Sequence, residues 1–265
     1  MINLVCFNGG RGASSLITAI LKNPAIKLTS VVNAYDDGKS TGAIRKYFDM
    51  LGPSDIRKVQ QLMLPEQNTD FKSNFWLFDY RFPVNIQNKV ALDKLYVEVR
   101  SNKKTLFSHS FNDKALLSEI RSYLKLFLAN LQTIKKSKNF KDFSFKDCSL
   151  MNCIYAGAFL AHNRNLEHAT LAIEKLFNLT ASVLPSSLEN KKLMGIRENG
   201  TFLYSEAEIV ELRSNVSVEK VFLLDDYLER KYFNSLPKKE KLMFLDSHHS
   251  YVKATSRVMR AINDA

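Results

Sequence analysis

Residues 2–33 read INLVCFNGGRGASSLITAILKNPAIKLTSVVN and have the pattern of a complete βαβ unit. The apolar run at residues 2–7 predicts a strand covered on both faces, as in a parallel sheet, and residues 28–33 predict a second one. Between them, Gly9, Gly10 and Gly12 allow a tight turn, and the residues that follow have helical spacing. A glycine loop between a strand and a helix is typical of phosphate-binding sites, and it also occurs as a plain connection.

The composition is that of a globular protein with excess positive charge. The 265 residues are 45% hydrophobic with a formal net charge of +11, which fits one large α/β domain or one domain with a subdomain. The charge indicates an anionic partner: nucleic acid, an acidic membrane surface or a phosphorylated small molecule. No apolar run approaches the roughly 20 residues of a membrane span, and Cys6, Cys148 and Cys153 lack disulfide or metal-site spacing. We therefore predict a cytoplasmic protein with reduced thiols and no membrane partner.

A polar segment, YDDGKSTG at residues 35–42, follows the second predicted strand. We predict that it forms a loop and that a helix begins after it. Its adjacent carboxylates Asp36 and Asp37, with a lysine, two hydroxyls and bare backbone N–H groups, supply what a phosphate-bearing ligand and a divalent cation need. Asp55 lies at the start of the next predicted helix, for which Ser54 is the expected N-cap. The alternative role for Asp55 is that of an acid favoured there by the helix dipole.

Six segments, in order, resemble the 2-phospho-L-lactate transferase (CofD-like) superfamily: FNGGRGASSL, VVNAYDDGKSTGAIRKYF, GPSDIRK, LFDYRF, SLMNCIYAGAFL and SVLP. The form DDGKSTGAIRKYF is closer to the bacterial gluconeogenesis-factor branch, which binds nucleotide sugars, than to the true transferases. The resemblance implies a Mg²⁺ site at Asp36, Asp37 and Asp55, which would also be the catalytic residues of an enzyme. It implies that a nucleoside diphosphate or nucleotide sugar contacts Asn8, Gly9, Gly10, Arg11, Gly12, Ser14, Lys39, Ser40, Thr41 and Asn152.

This sequence departs from the family pattern at five positions. Arg11 replaces a small hydroxyl residue, and Lys39 and Ser54 replace glycines. Lys58 replaces an asparagine, and Met151 replaces the glycine of a Ser-x-Gly-Asn motif. The additional charge at Arg11 and Lys39 either strengthens a phosphate contact or takes the place of the cation.

The chain divides by pattern into three segments: a nucleotide-binding βαβ core (1–83), an insertion or cap (84–147) and the second half of the α/β core (148–265). Within the insertion, residues 95–99 and 105–107 predict a hairpin, and residues 116–131 predict an amphipathic helix. The basic run at residues 135–146 predicts a solvated loop, which makes a nucleic-acid partner unlikely.

The last segment contains strands of a different kind. The Asn199-Gly200 turn predicts antiparallel strands added at an edge of the main sheet, and residues 218–226 predict another buried strand. Residues 257–264 predict a helix, which in the family leads to a further strand and a Gly-Pro-Gly turn. A shortened form or a fragment is therefore expected.

These patterns predict a three-layer, Rossmann-like α/β fold with a mainly parallel sheet and a small helical or mixed cap. Two functions remain open: a Mg²⁺-dependent protein that binds a nucleoside diphosphate or nucleotide sugar without turnover, and an enzyme that transfers a phospholactyl-type group to an alcohol acceptor such as a deazaflavin. Only the charge favours a nucleic-acid module. A homo-oligomer also remains open.

Overall fold

The computed structural model describes residues 1–135, 143–210 and 215–265. Its strands, in chain order, are β1 (Ile2–Asn8), β2 (Ile26–Val32), β3 (Thr105–Leu106), β4 (His109–Ser110), β5 (Ser182–Pro185), β6 (Lys192–Arg197), β7 (Phe202–Leu203) and β8 (Val218–Leu224). Its α-helices are α1 (Ser14–Leu21), α2 (Lys39–Phe48), α3 (Ser54–Leu62), α4 (Phe71–Asp79), α5 (Asn88–Arg100), α6 (Lys114–Lys135), α7 (Leu150–Ala161), α8 (Leu166–Leu176), α9 (Glu206–Ile209), α10 (Arg230–Ser235), α11 (Lys238–His248) and α12 (Ser256–Asn263).

A parallel sheet organises the fold. β2 pairs in parallel with β1 on one side and with β5 on the other, so the strand order is β1-β2-β5. α1 connects β1 to β2, and the predicted βαβ unit is confirmed. The glycine segment before α1 closes into a 3₁₀ turn, Gly10–Ala13.

Helices cover both faces of this sheet, which confirms the three-layer prediction. Because successive strand residues point to opposite faces, Leu28 and Val32 of β2 pack into the main hydrophobic core. Val31 points the other way and packs against Val258 of α12. The two faces are covered unequally, since α12 is a single helix of eight residues.

The prediction that β1 is covered on both faces holds for its centre and not for its ends. Leu4 and Cys6 pack against the main core, and Val5 packs on the other face with Val258 of α12. Ile2 and Phe7 are 63% and 64% exposed. β1 is the edge strand of the sheet and is less buried than β2.

The segment predicted as an insertion or cap is mixed, with two long helices and a short hairpin. The hairpin predicted from residues 95–99 and 105–107 is wrong, because residues 95–99 belong to α5, and β3 pairs with β4 instead. The amphipathic helix is confirmed as α6, whose apolar face enters the same core as the sheet. Part of the predicted basic loop, residues 136–142, lies outside the described residues.

A second sheet forms from the C-terminal part of the chain. β6 pairs antiparallel with β7 and with β8, in the order β7-β6-β8. The prediction that these strands extend the main sheet is therefore wrong. The strand predicted at residues 218–226 is present as β8, but only Phe222 and Leu224 in it are buried. This sheet has a small core of its own around Phe222 and Phe233. Within the described ranges, no helix is long and apolar enough to cross a membrane.

Candidate functional site

The acidic turn after β2 leads directly into α2. The polar residues predicted as a loop begin a helix, because α2 starts at Lys39 rather than after Gly42. Asp36 shapes the turn, since its Oδ1 accepts a hydrogen bond from the Gly38 N–H at 3.0 Å. Gly42 allows the helix to pass close to the turn, because a Cβ there would lie 2.2 Å from the carbonyl oxygen of Asp37. Both carboxylates therefore lie at the N-terminal end of α2.

A chain of hydrogen bonds joins this turn to α3 and α7. The Thr41 hydroxyl donates to Asp36 Oδ2 at 3.0 Å, and the Asn152 amide donates to Ser54 Oγ at 3.0 Å. Ser54 Oγ also contacts Thr41 Oγ1. Because the single Thr41 proton goes to Asp36, the Ser54 hydroxyl is the donor in that contact. The donors thus all point towards the Asp36 carboxylate.

This network corrects the role predicted for Ser54. The N-cap of α3 is Pro53, and Ser54 is the first helical residue without a side-chain capping bond. Its hydroxyl is buried and links Thr41 to Asn152 instead. The substitution of a glycine by serine at this position therefore adds a bridge between three segments of the chain.

The glycine turn after β1 lies against the start of α3. Gly10 has φ +45°, and a Cβ on it would lie 2.3 Å from Asp55 Oδ1. A side chain at this position would be strained and would displace the carboxylate. Asp55 accepts a salt bridge from Lys58 Nζ at 2.8 Å. The first glycine loop and Asp55 are therefore neighbours.

Glu206, at the start of α9, joins the three aspartates in space. Its backbone N–H donates to Asp37 Oδ1 at 3.0 Å. Burial, and after it the charges of Asp36, Asp37 and Asp55, together raise the pKa of the Glu206 carboxyl to about 7.

Sequence reasoning missed Glu206. A local signal marks the start of its helix, since Ser205 Oγ caps the N–H of Glu208 three residues on. Nothing local indicates that this start lies opposite Asp37, which is 169 residues away in the chain. Only the docking of the second sheet brings the two together.

The aspartates do not form a closed metal cage. Among the residues that the structure describes, no three carboxylate, histidine or cysteine side chains lie close enough to hold one metal ion. Mg²⁺ keeps several of its waters and binds through one or two carboxylates together with ligand phosphates. The residues present fit an ion bound in that way.

The other predicted contact residues are placed unevenly. Asn8 uses its amide inside the sheet, where Nδ2 contacts Ser30 Oγ and donates to the Cys6 carbonyl at 3.2 Å. Ser40 is buried in the first turn of α2. Ser14 is half-buried at the start of α1, and both Gly9 and Gly12 are exposed. The side chains of Arg11 and Lys39 lie outside the described part of the structure, so their contacts stay predictions.

The sequence is similar to a known protein family and to several characterised relatives. The sequence profile of the 2-phospho-L-lactate transferase CofD family matches residues 4–265. A gluconeogenesis factor of Listeria monocytogenes is 42% identical over 82 residues, 31% of this chain and 24% of that protein. A gluconeogenesis factor of Halalkalibacterium halodurans is 27% identical over 221 residues, which cover 83% of this chain and 48% of that protein. On this longer match, the chain spans about half the length of its relative.

Solved structures show the same fold. Two crystal structures of a UPF0052-family protein from Bacillus halodurans match the whole chain and 57% of theirs, with TM-scores of 0.55 and 0.57. Their sequence identities to this chain are 18% and 20%, so they support the fold and not the function. The fold is therefore that of the UPF0052 proteins.

Proposed function

Because this chain belongs to the 2-phospho-L-lactate transferase CofD family, we propose that it binds a nucleoside diphosphate or nucleotide sugar with the help of Mg²⁺. The proposed site lies between the Gly10 turn and the N-terminal end of α2. The observation that supports it best is the approach of the adjacent Asp36 and Asp37 to Asp55 and Glu206, from three separate parts of the chain. Matched relatives carry the name gluconeogenesis factor, which favours binding of the kind expected for that branch.

The four acids need a compensating cation if an anionic ligand is to bind beside them. Ionised carboxylates repel one another, and the repulsion is stronger in a partly buried site than in water. A Mg²⁺ ion held by one or two of the aspartates would offset that repulsion and supply binding energy to the phosphates. The N-terminal end of α2 adds a favourable dipole for the same phosphates.

Each protein group then has a separate role. Asp37 and Asp55 would hold the ion or its waters, and Asp36 would fix the turn through Gly38 and Thr41. The glycine at position 10 lets the first loop lie against Asp55 without a side chain between them. Lys39 remains the alternative source of positive charge.

The test is calorimetry with a panel of nucleotides and nucleotide sugars, with and without Mg²⁺. Asp37→Asn and Asp55→Asn should each weaken Mg²⁺-dependent binding by about tenfold or more, because each loses a charge-assisted contact. Asp246→Asn is the matched control, since Asp246 is an exposed acid that pairs with Lys220 away from the site. Full affinity in both site variants would refute the proposal.

Lys39→Ala separates the two sources of positive charge. If Mg²⁺ is the cation, this variant keeps a binding isotherm that depends on the metal. Binding that is independent of Mg²⁺ and lost in Lys39→Ala would refute the proposed Mg²⁺ site. The proposal of a nucleotide site would still stand.

A second function is supported by the description of the matching family, which is that of a transferase. In that case a phospholactyl-type group would pass from a nucleoside diphosphate carrier to the hydroxyl of a deazaflavin-like acceptor. The acceptor oxygen would form a new P–O bond and lose its proton, while the diphosphate P–O bond breaks and the nucleoside monophosphate leaves. One of the aspartates would orient the acceptor hydroxyl, and Mg²⁺ would neutralise the developing charge. Detection of the product by mass spectrometry tests this directly. Tight binding without any product would leave ligand binding as the proposed function.

A further inference from the structure

A cavity of about 560 Å³ lies between α2 and the second sheet. Its volume is within the roughly 300–1,000 Å³ of small-molecule sites. Asp37 and Gly42 form one side of it, so the cavity is continuous with the candidate phosphate site. Lys192 of β6 and Tyr227, which follows β8, form the opposite side. A ligand bound beside the aspartates can therefore extend into this space.

Lys192 is a half-buried cation without a carboxylate partner. Its Nζ donates to the backbone carbonyl of Asn190 at 3.0 Å and lies 5.0 Å from the centre of the Tyr227 ring. Among the described residues Lys192 makes no ion pair; the neighbouring Lys191 is the one that pairs, with Glu189 and Asp225. Burial lowers the pKa of Lys192, and the nearby Arg45 charge lowers it further. The charges of Asp49, Asp226 and Asp37 raise it, and the last two also line the cavity.

Arg45 is a second positive charge close to Lys192. Its side chain is 1% exposed, and its guanidinium donates to the carbonyls of Tyr35 and Lys191 and to Asn190 Oδ1. These three acceptors are neutral. A buried cation without an opposite charge is costly unless an anion comes near.

The rest of the cavity suits a ring. The Tyr227 ring lies beneath Lys192, and Tyr204 presents a second ring on the other side. Arg230 stacks over Tyr204 at 4.6 Å, but Glu208 already neutralises it at 2.6 Å. Leucine and methionine side chains complete the lining. Lys46 of α2 also lines the cavity, but it is exposed. Lys192 is the half-buried lining cation that lies beside a ring and pairs with no acid among the described residues.

We propose that the cavity accepts an acidic sugar ring, attached to the diphosphate of the ligand, and that Lys192 contacts its carboxylate. The proposal extends the nucleotide-sugar function above and rests on it for the position of the diphosphate. An acid group would form a charge-assisted hydrogen bond with Lys192, and the ring would pack on the tyrosines. A neutral sugar would leave the two cations uncompensated.

The test compares UDP, UDP-glucose and UDP-glucuronic acid by calorimetry, since the two conjugates differ by one carboxylate. The wild-type protein should bind UDP-glucuronic acid about tenfold more tightly than UDP-glucose. Lys192→Met should remove that preference and leave the affinity for UDP unchanged. Lys220→Met is the matched control, because Lys220 also lies over a ring, that of Phe222, but on the exposed face of β8.

A second measurement needs no variant, and one of its probes carries no nucleotide. Limited acylation of the lysines of the wild-type protein, analysed by peptide mapping, reports the accessibility of each lysine amine. UDP-glucuronic acid and glucuronic acid 1-phosphate should protect Lys192 and not Lys220, whereas UDP should protect neither. This arm also decides the matter if Lys192→Met does not fold.

The outcomes separate the two proposals. If UDP binds and the two conjugates bind equally, the cavity proposal is overturned and the proposed function stands. If no member of the nucleotide panel used to test the proposed function binds, that function fails, and the protection of Lys192 by glucuronic acid 1-phosphate then decides the cavity proposal. Absence of that protection at millimolar concentration overturns it.

Discussion

The carboxyl group of Glu174 should make the protein less stable as the pH rises. Glu174 lies on α8, and its Oε1 accepts a hydrogen bond from the Val183 N–H of β5 at 2.6 Å. Burial raises the pKa of Glu174, the Val183 hydrogen bond and the Arg257 charge on α12 offset part of this, and the net pKa is about 7 instead of 4.5. Burial, together with the charge of Glu174, also raises the pKa of Tyr155 on α7.

Stability falls with rising pH because the pKa of Glu174 is higher in the folded protein than in the unfolded chain. Below pH 4.5 the carboxyl is protonated in both states, so the folded protein has its full stability. As the pH rises towards 7, the unfolded chain releases the proton and the folded chain keeps it, so the free energy of unfolding falls. At about 1.4 kcal/mol for each pH unit, the loss reaches about 3 kcal/mol above pH 7.

Glu174→Gln tests this because glutamine keeps the acceptor for Val183 but cannot ionise. The difference in unfolding free energy between variant and wild type, from urea denaturation, should shift by about 3 kcal/mol in favour of the variant between pH 4.5 and pH 8. Glu174→Leu separates the hydrogen bond from the charge, since it loses the acceptor and should be less stable than the glutamine variant at pH 4.5. A difference between Glu174→Gln and wild type that does not change with pH would refute the reasoning.

Two further predictions concern the candidate site. Gly10→Ala should cost about 1–2 kcal/mol because of its positive φ and should weaken nucleotide binding by displacing Asp55. Gly200→Ala is the control, because Gly200 also has a positive φ but a Cβ there meets only the end of the Lys238 side chain. Equal nucleotide affinity in both glycine variants, measured by calorimetry, would contradict this. Ser54→Ala should lower the unfolding free energy by about 1–3 kcal/mol in urea denaturation, because it leaves the buried Asn152 amide donor without its acceptor. An unchanged stability would show that this amide finds another acceptor.

Local patterns in the sequence were sufficient for the first half of the fold. The alternation of strand, glycine turn and helix predicted the βαβ unit, because parallel strands need a crossover and the apolar spacing of α1 fits one. The same reasoning placed Asp36 and Asp37 after β2, since chain direction decides which end of a parallel strand a loop follows. The motifs that resemble the family are also local, and the family assignment came from them.

Only the tertiary structure decided which distant segments meet. Ser54 has the residue type of an N-cap, yet its hydroxyl joins Thr41 to Asn152, 98 residues further along the chain. The strand pattern of β6 and β8 is correct, but their pairing into a separate sheet depends on contacts between segments far apart in sequence. That sheet brings Glu206 to Asp37 and Lys192 to the cavity beside it. Hydrophobic periodicity records which face of a segment is buried and not which segment covers it, so the sequence alone determined the elements and the tertiary packing determined the site.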